Sequence, residues 1–292
     1  INDVYTAINM QVPKLESGGD IIDIDPFTIF GLFNKGITNS NRIAIIRSIA
    51  NVFGIEAKVP NNFDGIPVLN NLKATFYAFK EDRKADDIDN IWNVFEAALR
   101  LADNDTEQNR KEFSKWYDLV HDQRCIRWNI TMGLYWIRPY TYINLDSRNR
   151  WYISNVENMP AEFVNSIKKK INKVPNATDY LFIKDACIKA LEVGSYEYKN
   201  YPELSYSAWI VSEQVNRQKA AANGKKLSNA AFLRWFKPLI QALRDLGGSG
   251  TPAEARAKIV ENEQLSDEEV NAIRGKNNVN KFENEVALLA AI

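Results

Sequence analysis

From Phe232 the chain reads FLRWFKPLIQALRDLGGSGTPAEARAKIVENEQLSDEEVNAI, an apolar helix, a glycine break and two capped restarts. Short helices that each carry one apolar stripe can bury it only against one another, so this stretch has few folds open to it. The spacing predicts a helix over Asn229 to Leu246, with Phe232, Trp235, Phe236, Leu239, Ile240 and Leu243 on its core face. Pro238 falls inside it and is expected to bend it. Gly247, Gly248 and Gly250 end it. Thr251 and Pro252 restart the chain as cap and first-position proline, with Glu254 at capping-box distance. Ser266 and Glu269 repeat that offset and start a third helix. Asn277 to Ile292 reads as a fourth, with Phe282, Val286 and Leu289 on one face. This order opens a helix-turn-helix.

The rest of the chain also reads as helix. Asp25 and Pro26 cap and begin one; Ser40 caps another, which Gly54 stops. Ile88, Ile91, Trp92, Phe95 and Leu99 form an apolar stripe led by Asp86 and Asp87. Phe113, Trp116, Tyr117 and Val120 form a shorter one. Residues 160–173, 178–193 and 205–222 each set an apolar face against Lys or Glu. The segment ITMGLYWI (130–137) fits a strand face with period two or a helix apolar all round; the buried helix is preferred. Asp146 and Ser147 cap a further start. Residues 60–72 carry Asp64-Gly65 and two prolines and read as a turn-rich loop.

The polar, small-residue stretch EQVNRQKAAANGKKLS marks a linker at 214–228. The expectation is therefore a mainly α protein: a large helical domain over 1–213 and a small winged-helix, or helix-turn-helix, domain over 229–292. The 37 Lys and Arg balance 37 Asp and Glu, which argues against a nucleic-acid coat or a membrane-surface protein but permits a local DNA-binding face. No apolar run is long enough to span a bilayer, and no signal peptide opens the chain. Cys125 and Cys187 read as reduced thiols of a cytoplasmic protein; neither sits at a zinc spacing from the sole histidine, His121, so no metal or other cofactor is expected. The first residue is Ile1, so a fragment of a longer reading frame is expected.

Two resemblances add to this. Pro238-Leu239-Ile240-Gln241-Ala242-Leu243, then Leu265-Ser266-Asp267-Glu268-Glu269, then Lys276 to Asn284 resemble the N-terminal winged-helix domain of Mrr-type restriction proteins. The resemblance implies that Asn277 to Ile292 is offered to a DNA major groove, with Lys276 and Lys281 at phosphates and Asn277, Asn280 and Asn284 within reach of base edges. The family's β-wing would follow Ile292. Against this, residues 229–292 hold eight Lys or Arg and nine Asp or Glu, a slightly acidic balance that also suits packing or dimerisation. Residues 23–155 resemble the leading region of McrB-like AAA ATPases of modification-dependent restriction, through DIDPFTIFGLFNKGITNSNR, FDGIPVLNNLKATFY and NITMGLYWIRPYTYINLDSRNRWYI. A nucleotide-binding motor normally follows that region, yet no G-x-x-x-x-G-K-[ST] occurs here.

Five of the seven tryptophans lie between residues 92 and 151, joined by Tyr135, Tyr140, Tyr142 and Tyr152 and interleaved with Arg124, Arg127, Arg138, Arg148 and Arg150. Such rings and guanidinium groups either stack a flipped base and hold its phosphates or form a helical core with arginines on its rim; the second is the commoner arrangement. Arg138, Asp146, Arg148 and Arg150 are the polar candidates, and Asn34 to Arg42 is a second phosphate candidate that reads more simply as a turn and cap. No catalytic motif is present: no acid–lysine nuclease pattern on strands, with Asp179 to Lys189 a surface helix, and no nucleophile near His121. The expected function is the DNA-recognition or scaffolding portion of a restriction or antiphage defence protein. DNA, a nuclease or NTPase domain or subunit, and a second copy of the chain are the expected partners. The alternatives are a nuclease whose site lies unseen within 1–213 and a winged-helix transcriptional regulator.

Overall fold

The computed structural model describes residues 1–18, 21–70, 75–194, 196, 198–222, 235–271, 273–274, 279–280, 282–283 and 286. They are mainly helical and divide into two compact units, Ile1–Glu213 and Gln214–Ile292. Along the first unit run α1 (Asn2–Thr6), α2 (Pro26–Gly31), α3 (Asn39–Val52), α4 (Asp87–Asp103), α5 (Glu107–His121), α6 (Asn129–Ile137), α7 (Ser147–Ile153), α8 (Ala161–Ile167), α9 (Ala177–Val193) and the start of α10 (Tyr201–Ala222). Helix α10 continues past Glu213 to Ala222, so the first part of the expected linker is helical; its remainder, 223–228, lies outside the described residues.

Helices α4 and α5 form a hairpin closed by the Asn104–Thr106 loop, with Thr106 accepting the Asn109 N–H as cap of α5. Their inner faces supply Ile91, Val94, Leu101, Phe113, Tyr117 and Val120 to the main core. Four rings, Phe113, Tyr117, Tyr142 and Tyr180, stack there at centroid spacings of 5.4 to 6.4 Å. Each phenol finds a backbone carbonyl: Tyr117 at Pro175 (3.2 Å), Tyr142 at Ala98 (2.7 Å) and Tyr180 at Ile143 (2.9 Å). Burial of a polar tip is tolerated on that condition. Tyr180, Ile183, Cys187 and Leu191 point into this core, so α9 is a core helix with one wet face rather than a surface helix. His121 is tied to Val174 O (3.0 Å) and Asp122 (2.7 Å).

The 130–137 segment is a helix, α6, buried almost all round. Gly133 lets it sit close: a Cβ there would lie 2.7 Å from the Phe27 ring. Asp25 caps α2 through the Thr28 N–H (2.9 Å), and the Thr28 hydroxyl oxygen accepts the Phe76 N–H (2.9 Å). Asp25 is fully buried without a cation in its hydrogen-bond set, and desolvation pushes its carboxyl up to about 6. A satellite core of Val4, Tyr5, Leu15, Leu32 and Ile45 closes the amino-terminal end. Helix α3 starts two residues earlier than expected, capped by Thr38 instead of Ser40. Arg42 turns inward from it. Its Nε donates to Phe33 O (2.7 Å), its Nη2 to Asn34 Oδ1 (2.7 Å), and its guanidinium lies 3.9 Å over the Phe63 ring. Arg42 is therefore a structural tie, and with Thr38 it makes the 34–42 segment the turn and cap of the simpler expectation.

In the second unit α11 (Phe236–Asp245) and α12 (Pro252–Glu263) pack against each other, followed by α13 (Asp267–Val270) and an antiparallel pair, β1 (Ile273–Arg274) and β2 (Val279–Asn280). Its core holds Trp235, Leu239, Ala242, Ala255, Ile259, Phe282 and Val286, with Trp235 edge-on to Phe282 at 4.9 Å. Both capping boxes form, Thr251 with Glu254 and Ser266 with Glu269. Two expectations change. Pro238 lies in the first turn of α11, where the N–H it lacks would have no partner within the helix, while residues 229–234 of the expected helix lie outside the described residues. Of the stretch expected to be helical from Asn277, the described residues are extended at Val279 and Asn280 and helical at Phe282, Glu283 and Val286; the rest lies outside the described residues.

Candidate nucleic-acid interface

Helix α7 exists because Asp146 caps it, accepting the Asn149 N–H at 2.8 Å and the Asn149 side-chain amide at 3.0 Å. Its buried face is Asn149, Tyr152 and Ile153. Ser147, Arg150, Trp151 and Ser154 recur at helical spacing on the opposite face, and with Asn155, Ile171 and Asn172 they line a cleft of about 520 Å³. The guanidinium carbon of Arg150 lies over the Trp128 ring, 3.7 Å from its centroid. Partial burial lowers its pKa, with Asp146 pulling the other way; it stays cationic at neutral pH. Trp151 is 39% exposed at the mouth. Lys168 and Lys169, just before Ile171, are exposed, whereas Lys170 is paired with Asp179 and sits 4.8 Å from the Phe182 ring. A guanidinium held by an indole keeps outward N–H donors in a fixed plane, and an exposed indole beside it offers a stacking face.

The other expected site residues are placed differently. Arg138 donates to Ile137 O (3.0 Å) and meets Asp103 (3.4 Å). Arg148 is engaged by Glu213 at 2.5 Å. Asp146 serves the helix cap. Of the tryptophans, Trp92 and Trp136 spend their N–H groups on Ile24 O and Pro67 O. In the second unit Asn280 is committed at both ends of its amide: Nδ2 donates to Val270 O (2.8 Å) and Oδ1 accepts the Glu283 N–H (2.9 Å). Lys276, Asn277, Lys281 and Asn284 lie outside the described residues. The structure thus brings Arg150 together with Trp128 and Trp151, and separates Arg138 and Arg148 from them into ion pairs. Ser154, Asn155 and Asn172 were not singled out in the sequence, and Ser147 only as part of a helix start; their shared face becomes visible once the turn after α8 is brought beside 147–153.

A family model described as a domain of unknown function, DUF8425, matches residues 4–211. The chain belongs to the DUF8425 family. The matched span coincides with the first structural unit, Ile1–Glu213, and so contains the whole α7 cleft. Comparison with curated proteins gave no match, and comparison with solved structures gave none. Within this DUF8425 unit no group of three or more His, Cys, Asp or Glu among the described residues is arranged to hold a metal.

Proposed function

We propose that this chain is a DNA-recognition portion of a restriction or antiphage defence protein, with cleavage and nucleotide hydrolysis supplied by another domain or subunit. The observation that carries the reading is the α7 cleft, where Arg150 is held on Trp128 beside the exposed ring of Trp151. Arg150 and the exposed Lys168 and Lys169 suit backbone phosphates, Trp151 suits the face of an unstacked base, and the serine and asparagine side chains suit its edges. The resemblance of residues 23–155 to the leading region of McrB-like proteins favours the same class. The second unit supports it as a winged-helix-like head, through its two capped helices, its short strand pair and the helical turn at Phe282. With its Asn280 amide engaged internally, any base contact there falls to neighbouring residues.

The test is binding of fluorescent single-stranded and duplex DNA, methylated and unmethylated, across a salt series. Affinity should fall steeply with salt, because phosphate contacts release counterions. Arg150→Ala should weaken binding about tenfold and Trp151→Ala by a similar factor, with circular dichroism checking that each variant is folded. Absent or salt-insensitive binding by the parent chain removes the proposal; equal affinity for methylated and unmethylated DNA removes the modified-base part of it.

A further inference from the structure

A second cavity, of about 490 Å³, opens over the start of α10 and is lined by Asp64, Ile66, Tyr135, Tyr198, Pro202, Glu203, Tyr206, Ser207 and Ile210. Its size is that of a small-molecule site. Three phenol rings and two carboxylates line it, and among the described residues no lysine or arginine does. We propose that this cavity binds a compact organic cation, a methylated or quaternary ammonium, through the faces of Tyr135, Tyr198 and Tyr206 and the charges of Asp64 and Glu203.

The walls are fixed by buried hydrogen bonds. The Ser205 hydroxyl donates to Gly65 O (2.6 Å) and accepts from the amides of Asn144 (3.0 Å) and Asn149 (3.2 Å), binding the 62–66 turn to α10 behind the cavity. Gly65 permits that approach at φ +77°, since a Cβ would lie 2.7 Å from Tyr206 Cα. Tyr206 stacks on Trp209 at 6.0 Å, and the Tyr198 hydroxyl is placed by Tyr152 (3.0 Å) and Asn158 O (3.2 Å). Glu203 is oriented by the Lys199 N–H (2.8 Å) and Asp64 by Asn62 (2.7 and 3.2 Å). Burial raises Tyr135 to about 12 and moves Tyr198 upward as well, so the rings stay neutral and keep their negative faces. A cation in such a setting gains both from ring quadrupoles and from carboxylates. A nucleotide fits less well, because its phosphates would meet Asp64 and Glu203 unopposed.

Choline chloride, its neutral carbon isostere dimethylbutanol, and cytidine are titrated calorimetrically into the whole chain at matched ionic strength. Choline should bind in the millimolar range and the neutral isostere about tenfold more weakly. Asp64→Asn, at an exposed turn, should weaken choline about threefold to tenfold; Tyr206→Ala should do the same, and Tyr206→Phe should retain binding. Circular dichroism of each variant separates lost binding from lost folding. Equal affinity for choline and its isostere, no binding of choline, or preference for cytidine overturns the assignment.

Discussion

Gly65→Ala tests whether the loop that walls the tyrosine cavity is held by close backbone contact. Gly65 has φ +77°, and an added Cβ would meet Tyr206 Cα at 2.7 Å and Tyr206 N at 3.0 Å, backbone atoms that cannot swing aside. The left-handed conformation costs an alanine about 1–2 kcal/mol. Forcing a methyl into filled space adds about 1–3 kcal/mol. Together they predict about 3 kcal/mol. Gly54→Ala is the matched control, because Gly54 has φ +64° and nothing within 4 Å of its Cβ position. It should lose only about 1–2 kcal/mol. Both substitutions restrict the unfolded chain alike, so their difference reports the folded state. For a domain of this size each kcal/mol moves Tm by roughly 2–4 °C, giving a fall of roughly 6–12 °C for Gly65→Ala against roughly 2–8 °C for Gly54→Ala. Tryptophan fluorescence is a suitable probe, because six of the seven tryptophans lie in the first unit and only Trp235 lies outside it. Equal Tm values for the two variants would refute the close contact.

Arg42→Ala should cost about 2–4 kcal/mol in urea unfolding, since it strips donors from the Phe33 carbonyl and the Asn34 amide oxygen inside the fold. Arg42→Lys should recover little, because a single ammonium cannot serve both acceptors and lie over Phe63. Asp25 gives a pH dependence. Its folded pKa is raised to about 6 from 3.8, so the folded state binds the proton more tightly. Its contribution is full below about pH 4 and is lost as pH rises through about 6. Asp25→Asn, which keeps a capping side chain, should remove that slope. Its urea midpoint relative to the parent should improve between pH 4 and pH 7 by the equivalent of at most about 3 kcal/mol. A difference that does not vary with pH would contradict the raised pKa of the buried Asp25 carboxyl.

Local signals were readable where the partners are sequence neighbours. Asp25 with Pro26, Asp146 with Asn149, and the Thr251–Glu254 and Ser266–Glu269 boxes all cap helices as their spacing requires, because a cap satisfies donors two or three residues away. The buried helix preferred for 130–137 is the one that forms, and α6 is covered on nearly every side, so the period-two count that also fitted it carried no information. Val279 and Asn280 went the other way. Their pairing with Ile273 and Arg274 supplies hydrogen bonds that no periodicity within 277–292 could announce.

Sequence alone determined the helical class and most of the caps, products of short-range chemistry repeated along the chain. Tertiary structure decided the fate of each arginine. Arg42 went inside because Asn34, Phe33 and Phe63 surround it; Arg148 was taken by Glu213 from α10; and Arg150 found Trp128. It also gathered Asp64, Tyr135, Tyr198 and Tyr206 around one cavity from four separate stretches. Charge and aromaticity are written in the sequence, but desolvation and partnership depend on three-dimensional neighbours, and these set what a side chain is free to bind.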